Sequence, residues 1–196
     1  MDAWDRFAAG EATDHLPVRE LVLSSWARCR TASVPLSASA APRIDRDLNE
    51  MVRRRNRDLL KASTPILGEA TTLLRGTNAL MLVTDADGIA LDVAGDKLAV
   101  HAGEDIALSA GGKWTERHAG TNGIGTALAT GIPVFVHAAE HYCKGIKEWS
   151  CAAAPIHDPL NGAIAGILNI STQEQASRAQ IFALAVLAAR DRKSVV

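Results

Sequence analysis

The chain has 196 residues, of which 47% are apolar, and its formal charge is −1. This length allows one domain with its own core plus a helical extension, and the near-zero charge excludes a global field that attracts nucleic acid or an anionic membrane. The longest apolar run, residues 181–189, is far shorter than the ~20 residues of a membrane span. The N-terminus lacks the features of a signal peptide. Three cysteines, with Cys29 far from the other two, do not suggest a disulfide framework. These features predict a cytoplasmic protein with no membrane contact and no direct nucleic-acid contact.

The first predicted element is a short amphipathic helix over PVRELVLSSWARCR, residues 17–30. Pro17 suits the first turn, and a stripe of apolar and small side chains ends at Cys29. Cys29 is therefore predicted to be a small core residue. A connector rich in Ser, Ala and Pro follows over residues 31–42.

A second helical region is predicted to begin near Asp45 or Asp47 and to end near Gly76. Asp47 and Glu50 have capping-box spacing. Apolar residues then recur at alternating steps of three and four, which resembles a coiled-coil seam with Arg55 as its polar member. The apolar members are Leu48, Val52, Leu59, Ala62, Ile66, Ala70 and Leu73.

Pro65 interrupts this seam, and two readings of it stay open. It breaks the helix, or it occupies the first turn of a new helix that Ser63 or Thr64 caps. The arginines of residues 53–57 are diluted by nearby acidic residues, which favours a solvated helix face over a nucleic-acid arm.

From residue 79 the pattern becomes that of strands. Residues 79–85 and 89–95 flank an Asp-Gly turn, as expected of a hairpin. Residues 133–137 are a further strand candidate, and residues 151–158 and 163–171 flank an Asn-Gly turn. Two hairpins predict an antiparallel sheet rather than a βαβ-wound one.

The last predicted element is a helix over RAQIFALAVLAARDR, residues 178–192, with apolar residues on nearly every face. Such a helix is normally buried, and we expect it to pack on a partner. Together with the seam of residues 48–73 it predicts a homodimer held by helices outside the sheet. Packing of the two helices within one chain is the competing interpretation.

GTNGIGTALATG, residues 120–131, contains a G-x-x-G-x-G pattern. No βαβ unit precedes it and no Gly-Lys-Ser/Thr ends it, so neither a dinucleotide site nor a P-loop is favoured. We predict a helix that Thr121 or Asn122 caps and Gly131 ends, with small residues that allow close approach to the sheet. Its N-terminus is a candidate for holding a polar ligand group.

EHYCKGIKEWSC, residues 140–151, permits three interpretations. It covers a binding pocket of mainly apolar character with a few polar groups. It holds a soft-ligand metal through Glu140, His141, Cys143 and Cys151, with His118 or His137, although its spacing is not the C-x2-C of a structural zinc site. It carries Cys143 and Cys151 as a redox or catalytic pair.

For each of these three interpretations, a purely structural role of the same residues is the competing explanation. Trp114 and Trp149 are core candidates, His141 is a candidate for a hydrogen-bonded structural histidine, and Cys151 beside an apolar run is expected to be buried and inert.

Three blocks in fixed order, residues 114–142, 149–159 and 166–171, closely resemble the N-terminal sensory region of sigma-54-dependent transcriptional activators. The acetoin and glycerol catabolism activators are the most similar group, and their helical lead-in matches SSWARCR and the segment from Arg43 to Leu67, so the resemblance covers about residues 18–173. It implies an α+β fold, a GAF domain with an antiparallel sheet of about six strands and flanking N- and C-terminal helices. It also implies a cytoplasmic, usually dimeric sensor.

The resemblance implies three segments. Residues 1–44 are a helical lead-in and connector, residues 45–175 are the GAF-like sensory domain with its leading helix, and residues 176–196 form a C-terminal helix toward an output domain. The full activators carry an AAA+ ATPase and a DNA-binding domain after the sensor, and this sequence contains neither. We therefore expect an excised sensory region or a stand-alone relative, without ATPase activity.

The expected function is signal sensing without chemistry or cofactor, by binding a small-molecule effector between the sheet and residues 114–150. A metal or redox sensor using Glu140, His141, Cys143 and Cys151 is one alternative. A GAF-fold thiol enzyme such as a free methionine sulfoxide reductase is another, since fold does not decide function. The candidate ligand-binding residues are Trp114, His118, Thr121, Asn122, Glu140, His141, Tyr142, Trp149 and Cys151.

Overall fold

The structure, a computed structural model, describes residues 3–12, 16–173 and 178–190, and it combines one antiparallel sheet with helices on both faces. The helices are α1 (Ala3–Ala8), α2 (Glu20–Thr31), α3 (Arg46–Arg55), α4 (Arg57–Leu73), α5 (Lys97–Asp105), α6 (Glu116–Ala119), α7 (Gly123–Thr130) and α8 (Arg178–Arg190). The strands are β1 (Ala79–Asp85), β2 (Ala90–Gly95), β3 (Val134–His137), β4 (Ser150–His157) and β5 (Ile164–Thr172). Two 3₁₀ helices, Ala138–Glu140 and Lys144–Ile146, lie between β3 and β4.

The sheet has the strand order β2-β1-β5-β4-β3, with every neighbouring pair antiparallel. Both predicted hairpins, β1–β2 and β4–β5, are confirmed. The described residues form five strands, one fewer than the resemblance implied. Gly112 and Lys113 make only isolated bridges, to Arg43 and Ile89. Gly111, with a φ of +88°, directly precedes these two bridging residues.

Strand alternation divides the core between the two faces of the sheet. Leu80 and Leu82 on β1 point to one face, which α1, α2, α5, α7 and the segment before β4 cover. Met81 and Val83 point to the other face, where α4 lies over β1 and β2 and α8 lies over β3, β4 and β5. The segment of residues 114–150 thus lies on the first face, opposite α4 and α8.

The N-terminal helices differ from the predictions. α2 begins at Glu20, so Pro17 precedes the helix instead of lying in its first turn. α1 was not predicted, and its buried Trp4 and Phe7 pack with Trp26 of α2. Its six residues are too few for a helical period to be visible in the sequence.

The second helical region is two helices that meet at Asn56. Asp45 caps α3 by accepting a hydrogen bond from the backbone N–H of Leu48 at 2.8 Å, so the Asp47–Glu50 capping box does not form. Pro65 lies inside α4 and does not break it, and Ser63 and Thr64 cap nothing. Pro65 has no backbone N–H and cannot donate a hydrogen bond within the helix. Burial of other α4 residues against the sheet stabilises the helix despite this missing bond.

The seam residues Val52 and Ala70 are buried against their own sheet, whereas Leu73 remains 65% exposed. The last helix was predicted to pack on a partner, but it packs on its own chain through Ala185, Ala188 and Ala189. Residues 176, 177 and 191–196 of the predicted C-terminal segment lie outside the described residues. None of the described helices has the length and apolarity to cross a bilayer.

Candidate functional site

The candidate site lies between the first face of the sheet and residues 114–150, around the start of α7. Asn122 caps this helix, and its Oδ1 accepts a hydrogen bond from the N–H of Gly125 at 2.9 Å. Its Nδ2 donates to the carbonyls of Trp114, at 3.0 Å, and Gly120, at 2.7 Å. Gly131 ends the helix in the left-handed conformation, so the predicted cap and end of this helix are confirmed.

α7 begins in direct contact with the sheet. A Cβ atom at Gly123 would lie 3.0 Å from Cβ of Cys151 and 3.1 Å from Oδ1 of Asn169. Only glycine permits this approach without a shift of the strands. The small residues of the motif therefore bring the start of α7 against β4 and β5.

A buried polar network joins α2 to this region. Glu116 is 7% exposed and accepts hydrogen bonds from Arg28 and from Oγ of Ser25. Oγ of Ser25 also lies 2.7 Å from Oγ1 of Thr121 and 3.3 Å from Oγ1 of Thr126. The predicted site residue Thr121 is thus fully buried and bonded to the lead-in helix.

His141 is fully buried, and only one of its ring nitrogens has a partner. Nδ1 lies 3.0 Å from the carbonyl oxygen of Ala138. Nε2 has no hydrogen-bond partner among the described residues. Burial lowers the pKa of His141 to about 4 because desolvation disfavours the imidazolium. The ring is therefore neutral at physiological pH.

A second unpartnered atom lies on β5. Nδ2 of Asn169 donates to Oγ of Ser171 at 2.8 Å, and that hydroxyl donates to Sγ of Cys151 at 3.1 Å. Oδ1 of Asn169 is buried and has no partner within the described part of the chain. Asn169 and Ser171 were not predicted as site residues, although their alternation with Leu168 and Ile170 places them on the α7 face.

The aromatic candidates belong to the core around the site. Nε1 of Trp114 donates to the carbonyl of Ala107 at 2.9 Å. The carbonyl of Tyr142 accepts from Nε1 of Trp4 at 3.0 Å. Trp149 is also buried. All three side chains belong to the core on the first face of the sheet, and Nε1 of Trp114 already has a hydrogen-bond partner.

Two predicted ligand-binding residues, His118 and Glu140, lie farther toward the surface of the molecule. His118 is half-buried on α6, with Nδ1 2.7 Å from Oγ1 of Thr115. Glu140 pairs with Arg19 at 2.6 Å and borders an open groove of ≈ 410 Å³. The groove is lined by Ala3, Trp4, Pro17, Val18, Arg19, Trp26, Ala139 and Glu140. The structure therefore places Glu140 at the rim of an open groove.

The cysteines are buried thiols, not a cluster. Burial raises the pKa of Cys29 to about 11, of Cys143 to about 12 and of Cys151 to about 11. Sγ of Cys143 donates to the carbonyl of Pro35 at 3.5 Å. Over residues 3–12, 16–173 and 178–190, no three His, Cys, Asp or Glu side chains converge as metal ligands.

The sequence is similar to a known protein family and to known transcriptional activators. Residues 2–193 match the family described as MimR, N-terminal domain. The acetoin dehydrogenase operon transcriptional activator AcoR of Bacillus subtilis is 31% identical over 87% of this chain and 28% of its own length. The propane 2-monooxygenase operon transcriptional activator MimR of Mycolicibacterium smegmatis is 32% identical over 93% of this chain and 30% of its own length. The chain thus spans less than a third of either relative.

Among solved structures, the Escherichia coli DhaR(N)–DhaL complex contains a chain that superposes with a TM-score of 0.82 at 20% identity. The match covers 89% of this chain and 59% of that chain. The likeness shows the fold and confirms the GAF-like architecture that the sequence resemblance implied.

Proposed function

The chain belongs to the MimR N-terminal domain family, and we propose that it is the signal-sensing domain of a transcriptional activator. It binds a small-molecule effector between the sheet and residues 114–150. The flanking helices pass the binding event to output domains, an AAA+ ATPase and a DNA-binding domain of the sigma-54-dependent type. The unmatched length of the curated relatives leaves room for these domains.

The observation that carries the proposal is that Nε2 of His141 and Oδ1 of Asn169, two of four such atoms among the described residues, are buried polar atoms without a hydrogen-bond partner. Leaving a buried polar group without a partner costs roughly 1–3 kcal/mol, and native proteins keep few such groups. A ligand that bonds to these atoms recovers that cost. Cys151, a predicted site residue, adjoins the start of α7 together with Asn169, since a Cβ at Gly123 would lie 3.0 Å from Cβ of Cys151 and 3.1 Å from Oδ1 of Asn169.

The flanking helices are in position to respond. α2 is bonded to Glu116 and Thr121 through Arg28 and Ser25. α8 packs on β4 and β5 from the other side of the sheet. A ligand that favours one position of the 114–150 segment therefore shifts the populations of both helices. A homodimer formed through helices conveys such a shift along the chain.

The names of the relatives suggest short-chain organic effectors, since their operons concern acetoin and propane. The experiment is to purify the chain gently, extract it by heat and identify co-purified small molecules by mass spectrometry. The extracted compound should raise the melting temperature of the chain and activate a reporter in the full-length protein. A full-length protein that responds to no added compound, and a chain that carries none, would contradict the proposal.

The metal or redox sensor and the thiol enzyme are not favoured by the described residues. Thiolate is the form that binds metal and attacks substrates, and burial holds Cys143 and Cys151 as thiols. Glu140, another of the four proposed metal ligands, is paired with Arg19.

A further inference from the structure

We propose that α1 is a latch for the cover loop, residues 138–149, which lies over the first face of the sheet. When α1 is docked it holds the loop closed, and when α1 undocks the loop opens as a unit. The use of this opening, to admit the effector, rests on the proposed function, whereas the opening itself is tested without a ligand.

The cover loop is closed at its base and lies outside the sheet. The backbone N–H of Ala138 donates to the carbonyl of Trp149 at 3.0 Å, which joins the two ends as in an Ω-loop. Ala138 has a φ of +39°, and few residues other than glycine adopt such a conformation. The β3–β4 ladder ends at the pair His137–Ser150, so movement of the loop leaves the sheet intact.

The lead-in helices hold the middle of the cover loop through indole groups. Nε1 of Trp4 on α1 donates to the carbonyl of Tyr142 at 3.0 Å, and Nε1 of Trp26 on α2 donates to the carbonyl of Glu140 at 2.7 Å. Toward α7, the backbone N–H of Tyr142 donates to the carbonyl of Thr121 over a longer 3.4 Å. The bonds to the lead-in helices are therefore the shorter ones.

α1 is the part of this attachment that undocks. Its six residues are too few for a stable isolated helix. It is held by its buried Trp4 and Phe7 and by Arg30 of α2, which lies over the ring of Phe7, 3.7 Å from its centroid, and donates to the carbonyl of Phe7. α2, by contrast, is bonded to Glu116. Local opening of so small an element requires less free energy than global unfolding, and it removes the Trp4 bond from the loop.

An open groove of ≈ 410 Å³ follows the boundary between the lead-in and the cover loop. Ala139 and Glu140 line it from the loop, and Trp4, Arg19 and Trp26 are among the residues that line it from the lead-in. Packing between the two parts is therefore interrupted at this boundary. The groove is the side from which the effector enters once the loop opens.

Native-state hydrogen exchange of the ¹⁵N-labelled full chain tests the latch residue by residue. The reporters are the backbone N–H groups of Tyr142 and Lys144, which donate to Thr121 and Leu36. The reference is the N–H of Leu168 in β5, a strand paired on both sides. In the parent chain the reporters should exchange at least tenfold faster than the reference, because they exchange by opening of the loop.

Two changes in the latch should speed exchange of the reporters. Trp4→Phe keeps a ring but loses the indole N–H, and the rate should rise about fivefold, the factor for one hydrogen bond. Arg30→Ala loosens α1 without removing a hydrogen bond from the cover loop, and the rate should rise about two- to fivefold. Arg6→Ala, which removes only the exposed pair of Arg6 with Glu11, should leave the rate unchanged.

Trp114→Phe is the matched control for Trp4→Phe. It also removes one buried indole hydrogen bond, the one to the carbonyl of Ala107, but that bond stays intact when the loop opens. It should therefore speed exchange of Leu168, which requires global unfolding, and leave Tyr142 and Lys144 unchanged.

Two results would overturn the latch. The first is a reporter rate that equals the reference rate and rises with it in Trp114→Phe, since the loop then opens only by global unfolding. The second is a reporter rate that neither Trp4→Phe nor Arg30→Ala changes, since the loop then opens without α1. No effector enters this measurement, so either result leaves the proposed function to its own experiment.

Discussion

Arg28 of α2 donates two hydrogen bonds to the carboxylate of Glu116 on α6, at 2.6 and 2.8 Å. The two residues are far apart in sequence, yet their pairing raises the pKa of Arg28, chiefly through the hydrogen bond to Glu116. Glu116 in turn accepts from Ser25, one helical turn before Arg28. One buried carboxylate therefore fixes the lead-in helix to the segment that starts α7.

Arg28→Ala should lower the free energy of unfolding by about 1.5 kcal/mol. This is the low end for hydrogen bonds to charged groups, since the Arg28 side chain is 43% exposed while Glu116 remains buried without its partner. Urea denaturation measures the loss. Arg46→Ala, which removes an exposed pair with Glu50, should change stability by less than about 0.5 kcal/mol. Equal losses in the two variants would refute a special role for the Glu116 pair.

Two glycine-to-alanine substitutions should change the stability of the chain in opposite directions. A Cβ at Gly125 would lie 2.6 Å from backbone atoms of both Trp114 and Glu116, so Gly125→Ala must displace α7. We expect a loss of about 1–3 kcal/mol. Gly68 lies inside α4 with nothing within 4 Å of the Cβ position, so Gly68→Ala should stabilise the chain by about 0.5–1 kcal/mol. Thermal unfolding followed by circular dichroism separates the two, and a neutral Gly125→Ala would contradict this packing.

The features that sequence predicted well depend on neighbouring residues. The Asp-Gly and Asn-Gly turns specify the two hairpins locally, and Asn122 caps α7 with a side chain three residues from its donor. The features that it missed depend on residues distant in the chain. Nothing local marks Glu116 as the partner of Ser25 and Arg28, and the helix through Pro65 persists because the sheet packs against it.

For the candidate site, too, sequence predicted the local features and not those that depend on folding. The segment containing His141 was recognised by its residue types, but its burial and its single hydrogen bond result from folding. Asn169 and Ser171 lay in a strand that was identified correctly, and strand alternation would have assigned both to one face.

Stability should depend on pH through His141. Its pKa is about 4 in the folded chain, against about 6.5 when unfolded, so the unfolded state binds more protons between these values. The contribution of neutral His141 to the free energy of unfolding is complete above pH 6.5. It is lost as the pH falls toward 4, and the loss is on the order of 3 kcal/mol. Urea denaturation at pH 7, 6 and 5 should show this slope.

In His141→Phe the free energy of unfolding should depend much less on pH. Stability at pH 7 should be nearly unchanged, because removing an unsatisfied buried atom offsets the lost bond to Ala138. The carbonyl of Ala138 keeps the backbone N–H of residue 141 as a partner. Identical pH profiles for the variant and the parent chain would show that His141 is not the titrating group.

The thiols should be unreactive in the folded chain. Cys29, Cys143 and Cys151 are buried, and burial raises the pKa of each. A disulfide reagent such as 5,5′-dithiobis(2-nitrobenzoate) should modify them only at the rate of unfolding, and all three should react in denaturant. Rapid modification of one thiol in the native chain would reopen the redox and enzyme hypotheses.

Assembly is predicted to be a homodimer through the outer face of α8. The alanines of this helix contact its own sheet, which leaves Leu187 62% and Leu184 36% exposed. Leu73 at the end of α4 is also exposed, whereas Val52 and Ala70 of the predicted seam are used within the chain. The structure therefore shifts the expected contact from the seam of residues 48–73 toward α8.

Burying a large apolar side chain contributes ~1.5–3 kcal/mol, and a symmetric contact counts each leucine twice. A few such residues can offset an association cost of ~4–15 kcal/mol. Light scattering at micromolar concentration should give a dimer, and Leu184→Asp with Leu187→Asp should give a monomer. Leu160→Asp, at an 84% exposed leucine on the β4–β5 turn, should leave the dimer intact, because that leucine lies outside the proposed contact. A parent chain that is monomeric would refute the dimer, and a dimer that survives both α8 changes would return the contact to α4.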